Sequence, residues 1–481
     1  MRIRDRFAGL AAAFVVWVYL CAGHALAEPA LRPNIVYIIA DDLGWKDVGF
    51  HGSDIKTPNL DALARTGARL EQFYTQPMCT PTRAALLTGR YPFRYGLQTM
   101  VIPAAMTYGL STDEWLLPQA LKAGGYATAI IGKWHLGHAD RKFWPTHRGF
   151  DYQYGALIGE IDYYTHSAGG QTDWFRNGKL LKEPGYATTL LGEDAVRYVD
   201  RQDARKPFFL YLAFTAPHAP FQVPQKYSDM YPNIGDPNRR AYAGMITAMD
   251  EQIGNVVQAL QRRGLRENTI IIFHSDNGGN HSAHLGEADV KGDLPADNGP
   301  YRGGKGDLYE GGTRVASLIN WPGKIKPGTK IDQMMHVVDY YPTLVKLAGG
   351  NMAKAKPLDG FDLWPTLSRG EPSPRTEIVY NVEMFRGAVR QNDWKLFWRA
   401  ALPEKLELYN LADDPGEKTD LAAQRPAQVK ILRDRLNGLA ATMTKSLLLE
   451  QLFGTVMKQV KGKPPALPNE DSFYESPVNG D

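Results

Sequence analysis

Two cysteines in 481 residues, Cys21 and Cys79, exclude a disulfide-built scaffold. Excess charge is equally scarce. Against 55 Lys and Arg stand 52 Asp and Glu, leaving a net charge of +3. With no basic stripe and no aromatic-rich RNA motif, this argues against nucleic acid as a partner. Internal repeats, heptads and low-complexity tracts are absent from the sequence. The run that comes closest to spanning a bilayer is at the N-terminus, where Arg2, Arg4 and Arg6 precede Phe7 to Leu20 and Ala25-Leu26-Ala27 offers a small-x-small cleavage site. Residues 1–27 therefore read as a signal peptide. The expectation is an exported protein, periplasmic or secreted, that begins near Glu28 and keeps no stable membrane insertion after cleavage. Cleavage also removes Cys21. Cys79 is then alone in an oxidising compartment, where an unpaired thiol has to be buried, reactive or chemically converted.

What is present is apolar mass, 43% of the chain, in a repeated arrangement. Four β-rich runs stop abruptly in polar residues: Asn34 to Ala40 before Asp41-Asp42, Tyr126 to Gly132 before Lys133-Trp134-His135, Phe208 to Phe214 before Thr215 to His218, and Thr269 to Phe273 before His274 to Gly278. Continuous rather than alternating apolar runs indicate strands buried on both faces of a parallel sheet. Helical patterns separate them, at Thr57-Pro58 onward, Leu116 to Ala123 and Ala243 to Leu260. The fold class is α/β, an open and mostly parallel sheet between helices. Ligands bind such sheets beyond the carboxyl ends of the strands, and all four runs deliver ionisable or metal-capable side chains there. From about Arg375 the texture changes. Short runs at Glu377 to Val382, Phe385 to Arg390, Trp394 to Trp398 and Leu406 to Leu411 suggest an antiparallel sheet, followed by a helix over Ala427 to Leu439. The expected division is a catalytic unit over 28–374, a smaller α+β unit over 375–461, and a tail over 462–481 that is loop or disordered.

The chemistry gathers around Cys79-Thr80-Pro81-Thr82-Arg83, which leads an apolar helical run ending at Gly89. A thiol near a helix N-terminus would have a lowered pKa, while the plainer reading is a small buried residue at a strand–helix corner. Asp41, Asp42, Asp276 and Asn277 supply four hard oxygen donors, a set for Ca²⁺ or Mg²⁺ rather than zinc. Taken singly, each pair could equally be a helix cap or a turn. Lys133, His135 and His218 share the same rim, and a cation beside an anion-binding helix end suits a sulfate or phosphate group. On spacing alone Lys305, in Arg302-Gly303-Gly304-Lys305, reads as an exposed loop lysine. His274, His281 and His284 crowd one loop and have no role beyond lining a pocket.

Cys79-x-Pro81-x-Arg83 resembles the signature of the formylglycine-dependent (type I) sulfatases, and Gly125 through Gly132-Lys133-Trp134-His135 is similar to that family's second signature. The likeness covers nearly the whole mature chain, extending to Asp41 to Trp45, Asp276 to Gly279, Glu310-Gly311-Gly312 and Leu408 to Pro415. Within the family, Tyr74 to Pro77, Asp162 to Tyr164, Tyr242 to Met245 and Pro357 to Asp362 are similar to arylsulfatase B, an N-acetylgalactosamine-4-sulfatase group. The resemblance implies an alkaline-phosphatase-like fold and sulfate-ester hydrolysis on sulfated sugars such as N-acetylgalactosamine 4-sulfate units. It implies that a formylglycine-generating or equivalent maturation enzyme converts Cys79 to Cα-formylglycine, whose hydrate is the nucleophile. It implies one calcium ion, in preference to Mg²⁺, on Asp41, Asp42, Asp276, Asn277 and residue 79. Arg83 and Lys133 would stabilise the modified residue and the sulfate charge, His135 would assist sulfate release, and His218 with Lys305 would serve the leaving oxygen. Thr82 stands where the family usually has Ser, and one mature cysteine leaves no room for the disulfides of the animal enzymes. Two other readings compete: a phosphonate or phosphate monoester hydrolase with the same residues, and a carbohydrate-binding protein keeping an unconverted Cys79.

Overall fold

The computed structural model describes residues 32–281 and 294–460, so the expected signal peptide, the tail over 462–481 and His284 lie outside the described residues. All four apolar runs are strands: β1 (Asn34–Ala40), β2 (Ala127–Gly132), β3 (Phe208–Ala213) and β4 (Thr269–Ser275). They lie in the order β4-β1-β3-β2, mutually parallel, in the middle of a ten-stranded sheet. Their carboxyl ends are level: Ala40 pairs with Ser275, Ile39 with Ala213, and Ala213 with Gly132. Whatever follows each strand therefore emerges along one edge. Flanking strands make the sheet mixed, with Tyr152–Gly155 parallel to β2 and Ser317–Asn320 antiparallel to β4.

The continuous apolar runs follow from burial on both faces. Ile35, Tyr37 and Ile39 point into one core, with helices Cys79–Thr88, Leu117–Ala123 and Tyr340–Leu347. Val36, Ile38 and Ala40 point into the other, with helices Pro58–Thr66, Ala187–Asp200 and Pro237–Arg262. No helix among the described residues is long and apolar enough to cross a membrane.

Helix starts depart most from the sequence reading. The long helix begins at Pro237, six residues before Ala243, because Asp236 accepts a hydrogen bond from the Arg239 N–H at 2.6 Å. The helix at Pro58 starts where expected, but Thr57 does not cap it with its side chain. Asp250 of the long helix does so from across the core, accepting from the Leu60 N–H at 2.8 Å and the Asn59 N–H at 3.1 Å. β4 runs two residues past Phe273, because His274 and Ser275 still pair with β1.

The four later runs form one antiparallel sheet, β5 (Glu377–Val382), β6 (Arg386–Gln391), β7 (Trp394–Arg399) and β8 (Lys405–Asn410). Helix Pro426–Ala440 lays Leu432, Leu436 and Leu439 on one face. On the other, Tyr380, Phe397 and Tyr409 pack against Tyr74, Leu308 and Tyr309, just after Lys305. A final helix, Leu447–Val460, had no counterpart in the sequence reading.

Candidate active site

Because the four strand ends are level, Asp41-Asp42, Asp276-Asn277 and Lys133 emerge side by side, and the helix carrying Cys79 packs behind them. Cys79 is the first residue of its helix, Met78 is the extended N-cap, and Gly89 closes the helix with φ 67°. The Cys79 thiol donates to Asp41 Oδ1 at 3.4 Å. One turn on, Arg83 grips Asp276 Oδ2 through Nε and Nη2 at 3.2 and 2.8 Å, and its Nη1 donates to the Lys133 carbonyl at 3.0 Å. Lys133 Nζ lies 2.5 Å from Asp41 Oδ2. Lys305 Nζ donates to Asp42 Oδ2 at 2.6 Å and lies 3.0 Å from His218 Nε2. The residues expected as catalytic or metal-binding all converge, and each is buried, whereas His281, expected only to line the pocket, is exposed and not among its lining residues.

Lys305 is 6% exposed, which overturns the exposed-loop reading that its glycine-rich spacing suggested. The loop can turn inward because its neighbours carry no side chains: a Cβ on Gly278 would stand 1.7 Å from the Gly311 carbonyl oxygen. The low-pKa thiol is overturned too. Burial, then Asp276 and Asp41, pushes the Cys79 thiol well above its ordinary value, because the helix end is sealed from water and faced by carboxylates. His274 is not a pocket residue. It is buried within β4, where its Nε2 meets the Tyr37 hydroxyl at 2.8 Å.

The two site histidines are held in defined orientations. His218 Nδ1 donates to the Ala219 carbonyl at 2.6 Å, so Nε2 is the nitrogen turned toward Lys305 and Asp42. Tyr163 braces that segment, its hydroxyl lying 2.7 Å from the Thr215 carbonyl and 2.9 Å from the His218 carbonyl. His135 Nε2 donates to the Ile102 carbonyl at 3.2 Å, and Nδ1 is buried without a hydrogen-bond partner. Burial, then Lys133 and Arg83, drives the His135 pKa far down, so the ring is neutral and Nδ1 is an acceptor. Gly159 lies flush against that ring, where a Cβ would stand 2.3 Å from Cε1. Asp173 secures the same segment by accepting from the Leu157 and Ile158 N–H groups at 3.2 and 2.7 Å. Sequence reasoning missed Tyr163, Gly159 and Asp173, since each acts through backbone groups that no local spacing reveals. Asp42 and His135 both take left-handed backbones, φ 62° and 58°, an uncommon conformation for such residues and one that clusters at functional sites.

The donor set suits a hard divalent cation. Asp41, Asp42, Cys79 and Asp276 each place a ligand atom within 4.8 Å of the others, all buried. Asn277 Oδ1 is buried with no hydrogen-bond partner, while its Nδ2 is spent on Asp42 Oδ1 at 2.8 Å. Burial and the neighbouring Asp41 push Asp276 up to about 6 despite Arg83. A carboxylate disfavoured as an anion by its surroundings is one that a cation would stabilise. Asp41 goes the other way: burial alone would raise it, but Lys133, then His218 and Arg83, hold it well below the carboxylate range. The cluster opens on a pocket of about 220 Å³ lined by Cys79, His135, His218 and Lys305, with Met100 to Ala104 and Ile158 to Glu160 as walls.

Sheet, level strand ends and buried acid–base cluster define a hydrolase of the alkaline-phosphatase-like class. The family described as Sulfatase matches residues 33–350, and the one described as N-sulphoglucosamine sulphohydrolase, C-terminal, matches residues 304–442. The chain belongs to the sulfatase family. Arylsulfatase J of Mus musculus is 36% identical over 461 residues, covering 84% of this chain and 75% of that protein. N-acetylgalactosamine-6-sulfatase of Mus musculus is 36% identical over 370 residues, covering 72% and 68%. The crystal structure of Ps i-CgsB in complex with k-i-k-neocarrahexaose superposes with a TM-score of 0.80 at 32% identity, covering 92% of this chain and 100% of that one. These relatives support a sulfuric ester hydrolase. The narrower expectation of arylsulfatase B is not carried by them, since they include a 6-sulfatase and arylsulfatase J.

Proposed function

We propose that this sulfuric ester hydrolase acts on sulfated saccharides, that residue 79 works as formylglycine rather than as a thiol, and that Asp41, Asp42, Asp276, Asn277 and residue 79 hold a calcium ion. The observation that carries this reading is the position of Cys79, sealed at a helix start against Asp41, among three carboxylates and three cations. A thiol raised by its surroundings is a poor nucleophile at neutral pH, so the site makes better sense with the residue converted. When present, the aldehyde hydrate supplies an oxygen nucleophile, and the bound ion offsets negative charge on the sulfuryl oxygens.

The remaining work falls to side chains already in position. Lys133 and Arg83 present positive charge to the sulfate and to residue 79. Lys305 Nζ, 3.0 Å from His218 Nε2, is placed with that ring to serve the departing oxygen, the ammonium being the group of the pair that carries the proton. His135 Nδ1, neutral and unpartnered, is placed to accept a proton as sulfate is released. One relative is an N-acetylgalactosamine-6-sulfatase by name and one solved neighbour is bound to k-i-k-neocarrahexaose, which supports a sulfated saccharide as the substrate class. We also read the chain as exported, beginning near Glu28.

The test pairs 4-nitrophenyl sulfate with the matching phenyl phosphonate before and after chelation. The reading expects a higher kcat/KM for the sulfate, loss of turnover with EGTA, and recovery with Ca²⁺. Preference for the phosphonate would hand the site to phosphonate or phosphate monoester hydrolysis, and full activity in EGTA would remove the calcium.

A further inference from the structure

The turn between β5 and β6 reaches from the C-terminal sheet to both loops that wall the pocket. On one side Asn381 Nδ2 donates to the Gln98 carbonyl at 2.7 Å, two residues before pocket-lining Met100. On the other, Arg386 Nη1 donates to the Gly306 carbonyl at 2.6 Å, next to Lys305. Glu383 stiffens the turn, accepting from Arg386 Nε at 2.6 Å and Asn381 Nδ2 at 3.3 Å. At the tip of this braced turn Met384 and Phe385 are 54% and 55% exposed. The Phe385 carbonyl accepts from the Ala400 N–H at 2.7 Å, which brings the β7–β8 turn alongside with Leu402 fully exposed.

We propose that this tip is a sugar-binding subsite, in which Phe385, flanked by Met384 and Leu402, packs against the ring next to the sulfated unit of an oligosaccharide. The proposal rests on the sulfatase reading of the pocket and extends it from a sulfate ester to a chain. Volume is one argument. About 220 Å³ falls short of the usual range for a drug-sized ligand, so a sulfate and one ring fill the pocket and the next ring has to lie across the rim. Chemistry is the other. The CH face of a pyranose matches a single exposed aromatic side chain, and the partly exposed Arg386 guanidinium beside it offers a donor to ring hydroxyls. Three apolar side chains on two turns are far smaller than a protein interface requires. The bonds from Asn381 and Arg386 that tie their turn to Gln98 and Gly306, beside the pocket walls, mark the occupant as the substrate itself.

Binding energy from a remote ring raises kcat/KM for the chain and not for the isolated unit. The test compares kcat/KM for k-i-k-neocarrahexaose with that for its sulfated monosaccharide unit, in wild type, Phe385→Ala and Phe385→Trp. The hexasaccharide-to-monosaccharide ratio should fall about tenfold in Phe385→Ala, chiefly through KM, and Phe385→Trp should retain it. A ratio unchanged in Phe385→Ala, or a Trp variant that behaves like Ala, overturns the subsite. So does a wild-type enzyme that prefers neither substrate. A wild type that hydrolyses neither saccharide nor 4-nitrophenyl sulfate removes the sulfatase reading and the subsite with it.

Discussion

Two buried charge clusters lie on either side of the Arg302–Glu310 segment, and they are built to opposite ends. At the strand ends, Asp41, Asp42 and Asp276 face Arg83, Lys133 and Lys305, while Asn277 Oδ1 and His135 Nδ1 are left without partners beside an open pocket. Under the C-terminal sheet, Lys395 bridges Glu310 at 3.1 Å and Glu417 at 2.7 Å, all three fully buried. There the Tyr74 and Tyr380 hydroxyls donate to Glu310 at 2.7 and 2.6 Å, and the Lys395 ammonium sits 3.8 Å from the Tyr380 ring centroid. The second cluster turns its groups on one another and joins the sheet to the main core. The first leaves two acceptors without protein partners beside the pocket. Buried charge is thus weak evidence of function by itself, and the unpaired acceptors beside a cavity distinguish the two cases.

The largest separation is expected from Cys79→Ala. Turnover of 4-nitrophenyl sulfate should fall by about 10⁴-fold or more, with Tm close to wild type because a small buried side chain is replaced by a smaller one. A retained rate would erase the distinction between the clusters. Lys395→Met should do the reverse. Leaving Glu310 and Glu417 buried without their cation should cost about 3–5 kcal/mol in a denaturant melt, while kcat per folded molecule stays near wild type. A stability loss below about 1 kcal/mol would show that the second cluster carries no structural weight.

The smallest effect concerns pH. Burial, with Glu310 adding to it and Lys395 opposing, pushes Glu417 up to about 7 from an ordinary 4.5. The native state therefore keeps a proton that the unfolded chain gives up first, and the stability this provides at low pH is lost as pH rises from about 4.5 through 7. Glu310 has the opposite sign: against burial, Lys395 and Arg314 hold it at about 2, so its contribution is lost only on acidification toward that value. Glu417→Gln should flatten the decline in Tm across the upper window, and an unaltered slope would mean Glu417 is ionised in the native state.

Much of the site was legible because it sits on the most regular part of the fold. The four apolar runs announce their own ends, and parallel pairing brings Asp41, Lys133, His218 and Asp276 to one edge without further information. Lys305 was legible only by family resemblance, since its inward turn depends on backbone contacts such as Gly278 against Gly311 that come from far along the chain. The helix-start argument for a low-pKa thiol fails at Cys79 for a related reason, while the plainer reading of a small buried residue holds. A helix start lowers a thiol's pKa only while the surroundings are open or positive, and the nearby carboxylates arrive from strands β1 and β4. Asp250 capping the Pro58 helix, and Asp173 holding the segment beneath His135, are likewise tertiary substitutes for local signals.

The most direct test of the central claim is mass spectrometry on the peptide carrying residue 79 from catalytically active protein. The account predicts a peptide lighter than the cysteine form, carrying an aldehyde that reacts with hydrazide reagents and no thiol that can be alkylated. An intact Cys79 thiol throughout a fully active preparation would contradict it.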